Sequence, residues 1–123
     1  MQSQPINRIL LLDDDRIQKI LFEKRLLKID PGIKIVYFDT PSKALEFLKS
    51  ESVDLLISDL NLPEMSGWEF VQEASNYCPD SKVVLQSGSV DKLEFERASS
   101  DPRISEIFEK PLSDSDLRAI LGL

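Results

Sequence analysis

Ile9-Leu10-Leu11-Leu12-Asp13-Asp14-Asp15 is the stretch that decides the fold of this chain. Four consecutive apolar residues suit a strand covered on both faces, because alternation with polar residues would mark a strand with one wet face. The acids that follow end the strand, and Asp15 is placed to cap a helix. Outward from this stretch the same pattern recurs. Further short apolar runs lie at 33–38, 55–57, 83–85 and 104–108, each followed by a longer segment of helical character. Five β-α repeats with helix-length crossovers imply parallel strands joined by right-handed connections. The expected fold is α/β, a doubly wound parallel sheet with helices on both faces, in one domain over 1–123. The polar segment 1–6 is expected to be a flexible N-terminus.

Local signals place the helices. The first is expected over 15–29, with Ile17, Ile20, Leu21, Lys24 and Leu27 on its core-facing stripe, stopped by Asp30-Pro31-Gly32. Thr40-Pro41 reads as a helix start, with threonine as the cap and proline in the first turn. Ala44, Leu45, Phe47 and Leu48 form its inner face. A third helix is expected over 66–76, around Phe70, Val71 and Ala74. The fourth, 91–99, has a poor stripe and is expected to be short and mobile. The last opens at Ser113-Asp114-Ser115-Asp116, with acids favourably placed in its first turn.

In such sheets ligands bind beyond the C-terminal strand ends. Those ends carry Asp13-Asp14-Asp15, Asp39, Asp59, Ser87-Gly88 and Lys110-Pro111. Singly, each is ordinary: an aspartate caps a helix or builds a turn, a serine caps, a lysine is solvated. Together they converge on one edge of the sheet. Two like charges about 4 Å apart repel by roughly 4 kcal/mol at an effective dielectric of about 20. Asp13, Asp14 and Asp59 in one cleft therefore require compensation. Lys110 supplies one positive charge, and a hard divalent ion suits the remainder. An oxygen-only set favours Mg2+ or manganese over zinc. A carboxylate, Mg2+, a lysine and a hydroxyl form a phosphoryl-transfer set, with aspartate as nucleophile.

Composition narrows the alternatives. The chain has 123 residues, 41% hydrophobic and 30% charged, as an ordinary globular domain does. Its formal charge of −7 disfavours nucleic acid and anionic membranes as partners. With no histidine, Ser-His and Cys-His pairs and His-ligated metals are excluded. One cysteine, Cys78, allows no internal disulfide and fits a reducing compartment. No apolar run approaches the roughly 20 residues of a membrane span. A cytoplasmic location is expected.

The sequence resembles the receiver domains of bacterial two-component response regulators across nearly its whole length. The resemblance is carried by Leu12-Asp13-Asp14-Asp15, by 58–67 (Ser-Asp-Leu-Asn-Leu-Pro-Glu-Met-Ser-Gly), by Gln86-Ser87-Gly88 and by Glu109-Lys110-Pro111. It implies a flavodoxin-like fold with strand order 2-1-3-4-5. It implies that Asp59 accepts a phosphoryl group from a histidine kinase or histidine phosphotransfer protein. Asp14, Asp59 and the backbone carbonyl of Asn61 would ligate Mg2+, with Asp13 holding a metal-bound water. Ser87 and Lys110 would contact the phosphoryl oxygens, and Lys110-Pro111 would be cis. Phosphorylation would draw Ser87 inward and shift a two-state surface read by a downstream protein target or relay.

The pattern departs from the family at Ile107, where an aromatic is usual; Phe108 falls on the opposite face by strand alternation. Ser100-Asp101-Pro102-Arg103 replaces the usual small-residue turn. With the chain ending at Leu123, a stand-alone receiver without an output domain is expected. Asp13-Asp14-Asp15 also reads as the Asp-x-Asp of haloacid-dehalogenase-type Mg2+-dependent phosphatases, with Asp13 as nucleophile and Asp15 as acid. A third reading is an interaction module that is never phosphorylated.

Overall fold

The computed structural model describes residues 5–123. Elements alternate as β1 (Arg8–Leu12), α1 (Arg16–Ile29), β2 (Lys34–Phe38), α2 (Pro41–Leu48), β3 (Leu55–Asp59), α3 (Gly67–Ala74), β4 (Lys82–Ser87), α4 (Lys92–Ser100), β5 (Glu106–Glu109) and α5 (Asp114–Leu121). All pairings are parallel, in the order β2-β1-β3-β4-β5, as the resemblance implied. Of the segment expected to be flexible, residues 1–4 lie outside the described ones; Ile6 packs half-buried against the core.

Strand alternation divides the core in two. Ile9, Leu11, Leu55, Ile57 and Val84 meet Phe22 and Leu26 of α1 and Leu117 and Ile120 of α5. Leu10, Leu12, Leu56, Val83, Leu85 and Ile107 meet Ala44 and Leu48 of α2, Phe70, Val71 and Ala74 of α3, and Ala98 of α4. Ile107 therefore faces the α2–α4 layer, and Phe108 packs against the other.

Two expectations about helices need correction. The stripe expected to bury α1 is its outer face: Ile17 is 69% exposed, Ile20 49% and Leu27 62%, whereas Phe22 and Leu26 are buried. The helix is apolar on two opposite sides, so periodicity alone does not choose between them. Thr40 precedes α2 but makes no capping hydrogen bond. Glu64, from the loop after β3, does that work instead: it accepts from Ser42 N at 2.8 Å and from Ser42 Oγ at 2.9 Å. The fourth helix is regular, with a reciprocal capping box between Asp91 and Glu94, although only Ala98 of it is buried.

Gly67 fixes how α3 leaves the strand end. Its N–H donates to Leu60 O at 2.8 Å, and a Cβ there would run into the Asp59 carbonyl oxygen and come within 2.8 Å of Leu60 Cα. Both obstacles are backbone. Gly67→Ala is expected to lower stability by roughly 1–3 kcal/mol, the usual cost of forced overpacking, read as a shift in the urea midpoint.

Candidate functional site

Four strand ends, of β1, β3, β4 and β5, and the loop after β1 build the site. By alternation Asp13 and Asp59 project on the α1–α5 side of the sheet. Asp13 is fully buried and Asp59 nearly so. Asp14 follows in the loop and is exposed, while Asp15 is spent capping α1 by accepting from Ile17 N and Gln18 N. Asp13, Asp14 and Asp59 each offer a carboxylate oxygen, and these atoms lie within 4.8 Å of one another. Lys110 reaches in from the end of β5. Its Nζ donates to Asp59 Oδ2 at 2.6 Å and to Asp13 Oδ2 at 3.3 Å.

The remaining contacts hold these groups in place. Asp15 N donates to Asp13 Oδ1 at 2.9 Å, and Asn61 N to Asp59 Oδ1 at 3.2 Å. The buried Ser87 ends β4, and its carbonyl accepts from Lys110 N at 2.7 Å. Gly88 beside it faces open space. The Lys110-Pro111 bond is cis. All the site residues expected from the sequence thus sit at one edge of the sheet, with Asp13, Asp59 and Lys110 in direct contact.

Electrostatics reflect crowding. Burial pushes the Asp13 carboxyl above its usual range, and the nearby Asp59 charge adds to this; the Asp15 N–H and Lys110 pull the other way without cancelling it. Burial works against the Lys110 ammonium, but the hydrogen bond to Asp59 and the charges of Asp13 and Asp59 outweigh it, so its pKa is raised. One cation faces three carboxylates. The donors are all oxygen, the chain has no histidine, and its single thiol, Cys78, is buried beside α3. Such a set fits a hard divalent cation of the Mg2+ type.

Sequence reasoning missed two residues. Tyr37 Oη on β2 donates to the Asp13 carbonyl at 2.6 Å, and Gln86 Nε2 on β4 donates to Asp13 Oδ2 at 3.2 Å. Gln86 left only a faint trace, as the polar residue between the apolar run Val83-Val84-Leu85 and the Ser87-Gly88 turn.

The chain matches the response regulator receiver domain family over residues 9–122. It belongs to that family. The response regulator receiver protein CpdR of Brucella abortus is 32% identical, with 91% of this chain and 91% of that protein covered. The autoinducer 1 sensor kinase/phosphatase LuxN of Vibrio campbellii is 28% identical over 93% of this chain, which spans 13% of that protein's length. A two-component response regulator from Cytophaga hutchinsonii has the same fold, with a TM-score of 0.87 at 23% identity and coverage of 97% and 96%. Receiver domains are signalling modules that take a phosphoryl group from a histidine kinase, act on a downstream effector and bind Mg2+ at an acidic pocket. The phosphatase alternative finds no support here: its general acid, Asp15, is committed to the α1 cap, and its nucleophile, Asp13, is buried among three donors. No helix among the described residues is long and apolar enough to cross a membrane.

Proposed function

We propose that this receiver is phosphorylated on Asp59 by a histidine kinase or a histidine phosphotransfer protein, and that Asp13, Asp14, Asp59 and the Asn61 carbonyl hold Mg2+ for the reaction. The observation that carries this reading is the Lys110 ammonium 2.6 Å from Asp59 Oδ2, inside a cluster whose other carboxylates are Asp13 and Asp14. Asp59 attacks phosphorus in line with the departing imidazole. A P–O bond forms as the P–N bond breaks, and the electron pair returns to the ring nitrogen, which leaves as neutral imidazole when its other nitrogen carries a proton. Lys110 then follows a phosphoryl oxygen, and Ser87, at the adjoining strand end, donates to another. Bound Mg2+ supplies neutralisation of the charge on the phosphoryl oxygens. Acetyl phosphate with Mg2+ should add one phosphate per chain, measured by intact mass; no incorporation under any Mg2+ concentration would overturn the reading.

The outer face of α1 suits the donor. Ile17, Ile20 and Leu21 leave an apolar stripe open next to the acidic cluster, in a helix that also carries Arg16, Lys19, Lys24, Arg25 and Lys28 against a single acid, Glu23. An amphipathic donor helix with acidic flanks would bury that stripe and set its phosphohistidine over Asp59. Ile20→Glu is expected to slow transfer from the kinase that phosphorylates the wild-type chain at least tenfold. Labelling by acetyl phosphate, which needs no docking helix, should be unchanged. Equal slowing of both would show that the substitution damages the site rather than the contact.

A further inference from the structure

We infer that Gln86 is the positioning residue for Asp13, locking the orientation of a carboxylate on which cation binding depends; the inference rests on the Mg2+ reading above. On β4, Val83 and Leu85 pack toward α2–α4, whereas Val84 packs toward α1–α5. Two residues beyond Val84, Gln86 points the same way by alternation. It lines a narrow cleft with Leu11, Gln18, Phe22, Arg25 and Leu112. Gln86 is only 5% exposed there. An amide buried there without a partner is unfavourable, so its presence calls for a polar counterpart. The counterpart is Asp13 Oδ2, 3.2 Å from Nε2.

The geometry divides the work on Asp13 between fixed donors and a mobile one. Asp15 N–H holds Oδ1 at 2.9 Å and belongs to the α1 entry turn. Gln86 holds Oδ2 from an interior strand, where β4 is paired on both sides and Gln86 stands in register with Asp59 and Phe108. Lys110 also touches Oδ2, at 3.3 Å, but lies closer to Asp59 and carries a flexible stem. Once Lys110 follows a phosphoryl oxygen, Gln86 remains as the side-chain donor that keeps Asp13 from rotating. A carboxylate held by one donor on each oxygen keeps its free lone pairs aimed at the cleft and loses little freedom when a cation arrives. Partners of this kind are commonly worth 10–100-fold in metal affinity.

Gln86→Met keeps the length and removes the donor. The Mg2+ dissociation constant, measured by calorimetry, is expected to rise roughly tenfold. The Mg2+ concentration that half-saturates labelling by acetyl phosphate should rise by the same factor, with the plateau at saturating Mg2+ unchanged. A purely structural role would lower the metal-free melting temperature and leave both Mg2+ midpoints where they are. Gln86→Leu, which is one atom shorter, serves the same comparison if the methionine is not accommodated. Equal Mg2+ affinity in the wild type and a folded variant would overturn the assignment while leaving the acidic site intact. Absence of Mg2+ uptake by the wild-type chain would overturn the site reading and the part of Gln86 together.

Discussion

Asp59→Ala is expected to reduce phosphate uptake from acetyl phosphate and Mg2+ from one per chain to none. The loss should be complete because no neighbouring carboxylate can substitute. Asp13 is fully buried, and both its oxygens already accept hydrogen bonds, from Asp15 N on one and from Gln86 and Lys110 on the other. Asp14 is exposed and makes no ion pair with Lys110 among the described residues, so charge that develops on a phosphoryl group there would lack the fixed cation that Asp59 has at 2.6 Å. The variant should still fold. Lys110 keeps Asp13 as a partner, and removing one of three clustered carboxylates relieves repulsion. Intact-mass measurement on wild type and variant, with a urea melt of each, separates the two effects. Undiminished labelling of a folded Asp59→Ala would move the acceptor to another residue.

Legibility in the sequence followed the physics of burial. β1, β3 and β4 are covered on both faces, so their residues had to be continuously apolar, and the runs at 9–12, 55–57 and 83–85 marked them. The edge strand β5 was read two residues early. Ile104 is buried and looks strand-like, but it belongs to the turn after α4, where its N–H donates to Asp101 O, and the ladder begins only at Glu106. The acidic cluster was legible because unlike residue types met at strand ends, a coincidence that turn chemistry does not predict. What failed needed tertiary knowledge. Two apolar faces on α1 are equivalent until the sheet selects Phe22 and Leu26. Thr40 is a sound cap by local rules, but Glu64, distant in sequence, takes its place. Gln86 reads in the sequence only as the neighbour of Ser87-Gly88, and its meaning depends on which way β4 faces and on Asp13 lying two strands away.

Asp13→Asn should make the metal-free protein more stable at neutral pH and bind Mg2+ more weakly. Asp13 titrates above its ordinary value of 3.8, chiefly because burial disfavours the charged form. The sign follows from linkage. With the folded pKa above the unfolded one, the native state binds more protons than the unfolded state between those two values. Stability therefore falls as pH rises through that window and stays at the lower level above it. Asparagine fills nearly the same volume and carries no charge, so the variant lacks this fall; its oxygen can keep the Asp15 N–H, and its NH2 can donate to Gln86 once that amide turns its oxygen inward. The two proteins should be close in stability, as far as this position is concerned, below about pH 4, and diverge upward from there. At pH 7 the expected gain is roughly 1–2 kcal/mol, a fraction of the roughly 4 kcal/mol that two like charges about 4 Å apart exert at an effective dielectric of about 20. Added Mg2+ should reverse the order. A ligand that binds only the folded state adds about 2.7 kcal/mol at a hundred times its dissociation constant, and the wild type would collect more of this than the variant. Urea melts at pH 4 and pH 7, each with and without Mg2+, give the four stabilities. A variant less stable than wild type at pH 7 without metal would mean that Lys110, Gln86 and the Asp15 amide more than offset the burial of Asp13. The cluster would then be a structural ion pair rather than a strained cation site.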